Sequence, residues 1–310
     1  MRPLSQWLPS VMHARVLRYL DEVVRRGSIR RAAEHLHVAP TAINRQILEL
    51  EAELGAPLFD RINRRLHLTP LGEMVLAHVR QTLREHEALQ ARVAEIKGAR
   101  RGMVTVATTS GLAGSLLPSL VHDFRQHHPG IVVRVADLPV AGIVAAVEQG
   151  DADLGLGYDL PEVAAFRVMA SRDWSIGAVV APGHPLATQP STRLAECAGY
   201  PLILPAPSLS IRALVDDAFA RQSVEVTSAV ESTSVVLIQR LAAAGAGVAL
   251  LNPLDVMDER ARGAVVFVPL RDSDLRQQAL RMVARARAPL SPAAELMAER
   301  IGTALDGLFR

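Results

Sequence analysis

The sequence predicts three parts: a mainly helical N-terminal unit with a helix-turn-helix and a two-stranded wing, one long linker helix, and an α/β region of two lobes. Three observations predict it. Through the first seventy residues, apolar side chains recur at spacings of three and four between Gly27, Pro40 and Gly55. From Pro70 to Lys97 an apolar seam runs with no breaker beyond Gly72. After Gly102, short apolar strands alternate with helices, in a pattern that restarts after Trp174.

A chain of 310 residues, 49% apolar and 21% charged, is long enough for two or three packed domains and too apolar for disorder. Its start, MRPLSQWLPS, carries one Arg and no secretory apolar run, and no stretch approaches the ~20 apolar residues of a membrane span. The expected location is cytoplasmic, with no membrane partner. Cys197 is the single cysteine, which excludes an internal disulfide and any cysteine-based zinc cluster. The net charge of +2 is unevenly spread: the first hundred residues hold 16 basic and 11 acidic side chains, the remainder 18 and 21. An N-terminal positive excess suits a segment that faces phosphate.

Val16, Leu20, Val23 and Val24 define a first helix over residues 11–26, closed by Gly27. Ser28 caps a second, in which Ile29, Ala32, Ala33 and Leu36 share a face and the two alanines let another helix approach closely. A tight turn is expected at His37-Val38. Pro40 suits the first position of a third helix, whose Ile43, Ile47, Leu50 and Leu54 point inward until Gly55. Thr41, Asn44 and Arg45 are left on the outer face, where a recognition helix meets base edges; Arg and Asn can grip guanine and adenine bidentately. One amphipathic helix with a polar face is ordinary, and the two short helices and tight turn before it give the DNA reading its weight. Ser28, Arg30 and Arg31 at the start of the second helix complete this part of the expected DNA-contacting set.

After Gly55, "PLFDRINRRLHLT" reads as a two-stranded wing turning at Asn63, with Arg64 and Arg65 at its tip, placed to hold phosphates or enter a minor groove. Thr69-Pro70 caps the linker helix. Along it, Val75, Val79, Thr82, His86, Leu89, Val93 and Ile96 alternate spacings of four and three, a coiled-coil seam that calls for a second chain, with His86 as a polar packing or register residue.

In the C-terminal two thirds, "MVTVAT", "IVVRVAD" and "ADLGLG" are strands separated by helices through Leu116–Phe124 and Ile143–Val147. "SIGAVVA", "YPLILP", "VEVTSAV" and "GVALL" repeat the pattern around helices from Ile211 to Phe219 and from Val235 to Ala244. Two such units, each a parallel sheet covered on both faces, enclose a cleft. Small ligands bind where strand C-termini meet helix N-termini. Four segments qualify: Thr108-Thr109-Ser110-Gly111, Leu138-Pro139-Val140, Ser208-Leu209-Ser210 and Ser232-Thr233-Ser234. Hydroxyl-rich caps also simply end helices, and their convergence on one cleft is what favours a ligand. Arg212 is the candidate partner for a ligand carboxylate, an ordinary exposed helix Arg being the alternative, and the polarity of the cleft points weakly to an organic anion.

Other chemistry has no visible apparatus. Gly155-Leu156-Gly157 and Gly245-Ala246-Gly247 lack the third glycine of a dinucleotide fingerprint, and neither a Walker A run nor a G-x-S-x-G elbow occurs. His127-His128 lacks the third ligand a metal would need, and the one lysine, Lys97, sits in the linker. No cofactor, metal or catalytic residue is expected.

The run "LRYLDEVVRRGSIRRAAEHLHVAPTAINRQILELEAELGAPLFDR", followed by "LTPLGE", resembles the winged helix-turn-helix of LysR-type transcriptional regulators, and the likeness continues at lower similarity across the chain. Gly27-Ser28 and Ala32-Ala33 match the family's Gly-Ser step and Ala-Ala pair, and Arg45-Gln46-Ile47 fits. Ala39 stands for a usual Ser cap, Pro40 for a usual Gln and Asn44 for a usual Ser, so the docking mode carries over while base preference does not. Losing the capping hydroxyl should cost about 1 kcal/mol, offset in part by the preset φ of Pro40. The resemblance implies a DNA-binding domain over 11–69, a dimerising linker over 70–98, and an effector domain like type 2 periplasmic binding proteins. Its lobes would be 101–165 with 272–310, and 166–271, the first and third hydroxyl segments matching where the family holds its inducer. It further implies a homodimer through the linker, assembled as a dimer of dimers on an inverted-repeat operator in double-stranded DNA. The competing class is a cytoplasmic small-molecule-binding protein or enzyme of the same α/β fold, since fold alone does not set function.

Overall fold

The computed structural model describes residues 15–62, 65–96, 102–222, 227–272 and 275–308. They form two compact units divided after Val93. The N-terminal unit consists of α1 (Arg15–Arg26), α2 (Ile29–Leu36), α3 (Pro40–Leu54), a hairpin of β1 (Phe59–Ile62) and β2 (Arg65–Leu68), and α4 (Pro70–Ile96). Residues 11–14, expected in the first helix, lie outside the described residues.

Tyr19 and Val23 of α1, Ala32 and Ala33 of α2, and Ile43 and Ile47 of α3 make one core. The turn between α2 and α3 is built on His37, which takes a left-handed φ of 53° while the N–H groups at 37 and 38 close on the carbonyls of Glu34 and Ala33. Gly27 and Gly55, at φ of 66° and 71°, end α1 and α3 in the same conformation. Ala39 precedes α3 with no side-chain cap, and Pro40 starts it.

The hairpin is fastened at its root. Glu51 Oε1 accepts the N–H of Leu58 at 2.7 Å, and Thr69 Oγ1 donates to Pro57 O at 2.8 Å while accepting from Gly72 N. A Cβ on Gly72 would overlap the carbonyl of Leu58, so only glycine lets α4 lie this close to the hairpin.

That contact corrects the reading of the linker seam. Val79 is buried and Val75 partly so against Leu20, Leu58, Leu50 and Leu68 of the same unit, so the first half of the seam is covered by its own domain. The hairpin and α1 supply the cover that a helix count misses. Further along, His86 is buried, Thr82 half-buried and Leu89 exposed, while the side chains of Val93 and Ile96 lie outside the described residues.

The second unit holds two five-stranded sheets. The first has the order β4-β3-β5-β12-β6, from β3 (Gly102–Thr108), β4 (Ile131–Asp137), β5 (Leu154–Tyr158), β6 (Phe166–Trp174) and the returning β12 (Gln278–Arg285). The second has the order β11-β7-β10-β8-β9, from β7 (Gly177–Val180), β8 (Leu202–Pro205), β9 (Ser228–Ser232), β10 (Val248–Leu251) and β11 (Val266–Pro269). In each, three successive strands from one edge, β4, β3, β5 and β9, β8, β10, are parallel and the next is antiparallel. Reversed, the second order repeats the first, so the lobes are two copies of one plan.

Helices cover both faces. The first sheet lies between α6 (Leu116–His127) with α12 (Pro292–Gly307) on one side and α7 (Val140–Gln149) on the other. The second lies between α9 (Ser210–Arg221) and α10 (Val235–Ala243). The short helices α5 (Ser110–Gly114), α8 (Leu194–Cys197) and α11 (Met257–Ala261) fill the connections. Gly155 belongs to this packing, since a Cβ there would meet Ile143 and Val147 at 2.9 Å.

The expected lobe boundary near residue 165 is corrected. β6 pairs with β12 from Phe166 to Trp174 and so completes the first sheet, and the chain crosses only after Trp174. Among the described residues, no helix is long and apolar enough to cross a membrane.

Candidate DNA-reading face and interlobe site

On α3, burial of Ile43 and Ile47 forces Thr41 and Arg45 outward into solvent, with Asn44 half-exposed between them. Arg45 Nε lies 3.5 Å from Glu49 one turn on, a solvated pair that leaves its guanidinium free to exchange partners. Pro40 is exposed at the helix start. Arg30 and Arg31 are exposed on α2, Arg30 facing Glu34 at 3.3 Å, and Ser28 precedes that helix with no side-chain cap bond. Arg64 and the side chain of Arg65 lie outside the described residues.

In the second unit the four candidate segments, three of them hydroxyl-bearing, all follow the carboxyl ends of parallel strands, β3, β4, β8 and β9. They are neighbours. The N–H of Leu138 donates to Thr108 O at 2.9 Å, which sets Pro139 and Val140 beside the end of β3. Gly114 of α5 packs near Val236 of α10, and Ala206 N donates to Ser232 O at 2.8 Å, joining the starts of α9 and α10. Ser234 caps α10 by accepting from Leu237 N.

Side-chain directions then divide the expected set. Thr109 and Ser110 are half-exposed, while Ser208, Ser210, Thr233 and Pro139 are exposed. Leu209 and Val140 are partly covered. Thr108 is fully buried in the first lobe, and Gly111 is buried beneath Asp255 of the second, so these two do not face solvent as expected. The alternation along β3 explains Thr108, which points to the same side as the core residues Val104 and Val106.

Arg212 has a different occupation from the one expected. Its guanidinium meets Asp216 at 2.7 Å, Glu231 at 3.0 Å and the carbonyl of Pro205 at 2.9 Å. Two carboxylates already neutralise it, and it brings no spare charge to a ligand. The hydrogen bond it donates to Asp216 and the contact with Glu231 hold its pKa above the ordinary value.

Sequence reasoning missed a polar group deeper between the lobes. Asp255, in a 3-10 turn over Pro253–Val256, is buried against Gly111, and burial pushes its carboxyl up to about 7. Tyr158 at the end of β5 is buried beside it, its phenol raised by burial and by that carboxyl. No local signal marks such a cluster, because its members lie on segments more than ninety residues apart.

Comparison with known proteins gives these arrangements their context. Residues 14–73 match the family model for bacterial regulatory helix-turn-helix proteins of the lysR family, and residues 97–306 match the LysR substrate binding domain. The chain is 26% identical over 298 residues to the DNA-binding transcriptional dual regulator OxyR of Escherichia coli, covering 96% of this chain and 97% of that protein. It is 28% identical over 263 residues to the transcriptional dual regulator GltC of Bacillus subtilis, covering 84% and 86%. Among solved structures, a full-length OxyR variant from Pseudomonas aeruginosa superposes with a TM-score of 0.71 at 21% identity, covering 94% of each chain. Full-length CbnR complexed with its target DNA superposes at 0.61 and 22% identity, covering 94% of this chain and 99% of that one. The two models together match well over half of the chain, in both units, and the chain therefore belongs to the LysR family: it is a DNA-binding transcriptional regulator with a two-lobed α/β effector-binding domain.

Proposed function

We propose that this protein reads an inverted-repeat operator through Thr41, Asn44 and Arg45 of α3, with Arg30, Arg31 and the wing arginines Arg64 and Arg65 holding the phosphate backbone. The observation that carries this is the outward face of α3, fixed because Ile43 and Ile47 are buried. Exposed Leu89 and half-buried Thr82 support pairing of the linker in a dimer, which by family likeness assembles further into a dimer of dimers in the cytoplasm. The reading gives the chain no catalytic step.

The effector is a small molecule held between the starts of α5, α9 and α10, where Ser110, Ser208, Ser210 and Thr233 offer hydroxyls and backbone N–H groups. Arg212 organises this site by tying α9 to β9 rather than by meeting the ligand. An effector that binds one lobe arrangement better shifts the oligomer's geometry and the spacing of its DNA-reading heads.

Two relatives, from Escherichia coli strains, are named hydrogen peroxide-inducible genes activators. The only cysteine here, Cys197, is fully buried and its thiol is pushed up to about 12 by that burial, so it stays protonated and is a poor nucleophile toward peroxide. The effector reading therefore rests on the interlobe site and not on thiol chemistry.

A random-sequence DNA selection at fixed physiological salt tests the proposal. An inverted repeat bound at least ~10³-fold tighter than scrambled duplex is expected. A flat profile from folded, oligomeric protein would instead favour a solute-binding role for the α/β unit.

A further inference from the structure

The lobes touch through α5. A Cβ on Gly111 would overlap the Asp255 carboxylate, so the second lobe's turn at 253–256 sits directly on the first lobe's backbone. Next to it, Ser115 Oγ of the first lobe accepts the N–H of Asp258 of the second at 3.1 Å. A hydrogen-bonded chain runs behind this contact. Asn252 donates to Gln278 at 3.0 Å, Gln278 donates to Asp159 at 3.0 Å, and Asp159 accepts from Arg276 at 2.8 Å and from Ala279 N at 3.2 Å. It thus ties the second lobe, the returning strand and the first lobe in series, and Gln239 of α10 fastens the turn by donating to the Asp255 carbonyl.

At the centre of this frame, Asp255 is buried and, among the described residues, its environment is set by burial and by hydrogen bonds from Asn252, with no cation beside it. Tyr158 faces it from β5; α5 and the near end of β12 present no titratable group; α10 presents the amide of Gln239; and on α11, Asp258 and Glu259 face Arg262. Among the described residues, Tyr158 OH and Asn252 Oδ1 are buried beside the same lobe contact without hydrogen-bond partners. Each such group left dry is unfavourable, and opening the lobes would return it to water. The closed arrangement is therefore held against a polar penalty that a charge on Asp255 would increase.

We propose that Asp255 is a proton-operated latch between the two lobes: its neutral carboxyl packs on Gly111 and holds them closed, and its ionisation favours opening. The direction follows from its surroundings. Burial raises the carboxyl from 3.8 to about 7, with the Asn252 side chain and N–H pulling only partly the other way. A carboxyl that binds its proton more tightly when closed supports closure fully below 3.8, and that support is lost as the pH rises through about 7. Resting on the effector reading, the latch further implies that an effector selecting the closed lobes binds with proton uptake, so its affinity falls as the pH rises.

Hydrogen exchange of the full-length protein, corrected for the intrinsic effect of pH, tests the latch without any effector. Segments 109–116 and 252–260 should lose at least about tenfold in protection between pH 5.5 and 8.5 while β10 and β12 keep theirs, and Asp255→Asn should abolish the loss. Parallel profiles in wild type and variant would overturn the proposal. If the variant does not fold, the wild-type profile still decides, because a loss shared equally by β10 and β12 reports global destabilisation and also overturns it. Effector affinity against pH is then a separate measurement, whose failure alone would count against the effector reading and leave the latch standing.

Discussion

Arg80 Nε donates to Asp21 Oδ1 at 2.9 Å, an ion pair between α4 and α1 in which both side chains are only about one-tenth exposed. Asp21 also meets the more exposed Arg25 at 2.8 Å. Removing Arg80 would leave Asp21 with only the more exposed Arg25, so the cost falls short of the about 3–5 kcal/mol of a buried charge left with no partner. Arg80→Met should therefore lower the stability of the DNA-binding unit by about 1–3 kcal/mol in urea unfolding, and Arg80→Met with Asp21→Leu should regain most of it. A single-variant cost below about 1 kcal/mol would show the pair to be solvated.

Base readout and phosphate contact separate at two arginines. Arg45→Ala should relax preference at one operator position by roughly 1–3 kcal/mol. Arg64→Ala should weaken binding to every sequence and flatten the salt dependence by about one unit. Binding isotherms on operator and scrambled duplexes over a salt series distinguish the two, and identical effects on all sequences would contradict the division.

Arg212 ties the start of α9 to Glu231 and Asp216. As an organiser rather than a ligand partner, its loss in Arg212→Met should weaken charged and neutral effector analogues by similar factors in calorimetry. Lysine should rescue poorly, because one ammonium cannot reproduce the forked contacts. A loss confined to carboxylate-bearing analogues would return Arg212 to the role of ligand partner.

Acid sensitivity should trace to Asp159. Burial pushes its carboxyl up, but the hydrogen bonds from Arg276, Gln278 and Ala279 N more than offset this and hold it below 3.8. A depressed carboxyl contributes stability above its ordinary value and loses it as the pH falls through the folded value. The stability gap between wild type and Asp159→Asn should be full at neutral pH and close as acid is added. A gap that persists unchanged to pH 2 would place the effect in packing instead.

Peroxide should leave Cys197 untouched. Millimolar peroxide at neutral pH should add no oxygen to the folded protein's thiol by mass spectrometry, and Cys197→Ala should leave DNA binding unchanged with or without peroxide. Rapid oxidation in the native state would require the thiol to be far more exposed than its packing in the second lobe allows.

Much of the DNA-reading unit is legible residue by residue. Gly27 and Gly55 stop helices because the chain there needs a left-handed residue, Pro40 starts one because its φ is preset, and Ile43 with Ile47 fixes which face of α3 turns outward. Periodicity could also have found the buried pair. Asp21 falls between Leu17 and Val24, and Arg80 between Leu76 and Leu83, on the apolar faces of their helices, where a lone charge requires a partner. The cover over Val75 and Val79 was not legible, because it comes from a hairpin and a helix whose docking no local pattern states.

The sequence by itself determined the local elements, their order and the family, because spacings of two and of three to four, with glycine and proline as punctuation, reflect backbone geometry over a few residues. Only the tertiary structure decided that Trp174 closes the first sheet, that Arg212 is already neutralised and that Asp255 lies buried against Gly111. Those outcomes depend on segments far apart in the chain being brought within contact distance. Whether a carboxyl meets water, a guanidinium or a glycine backbone is a property of that packing, which the residue and its neighbours in sequence do not contain.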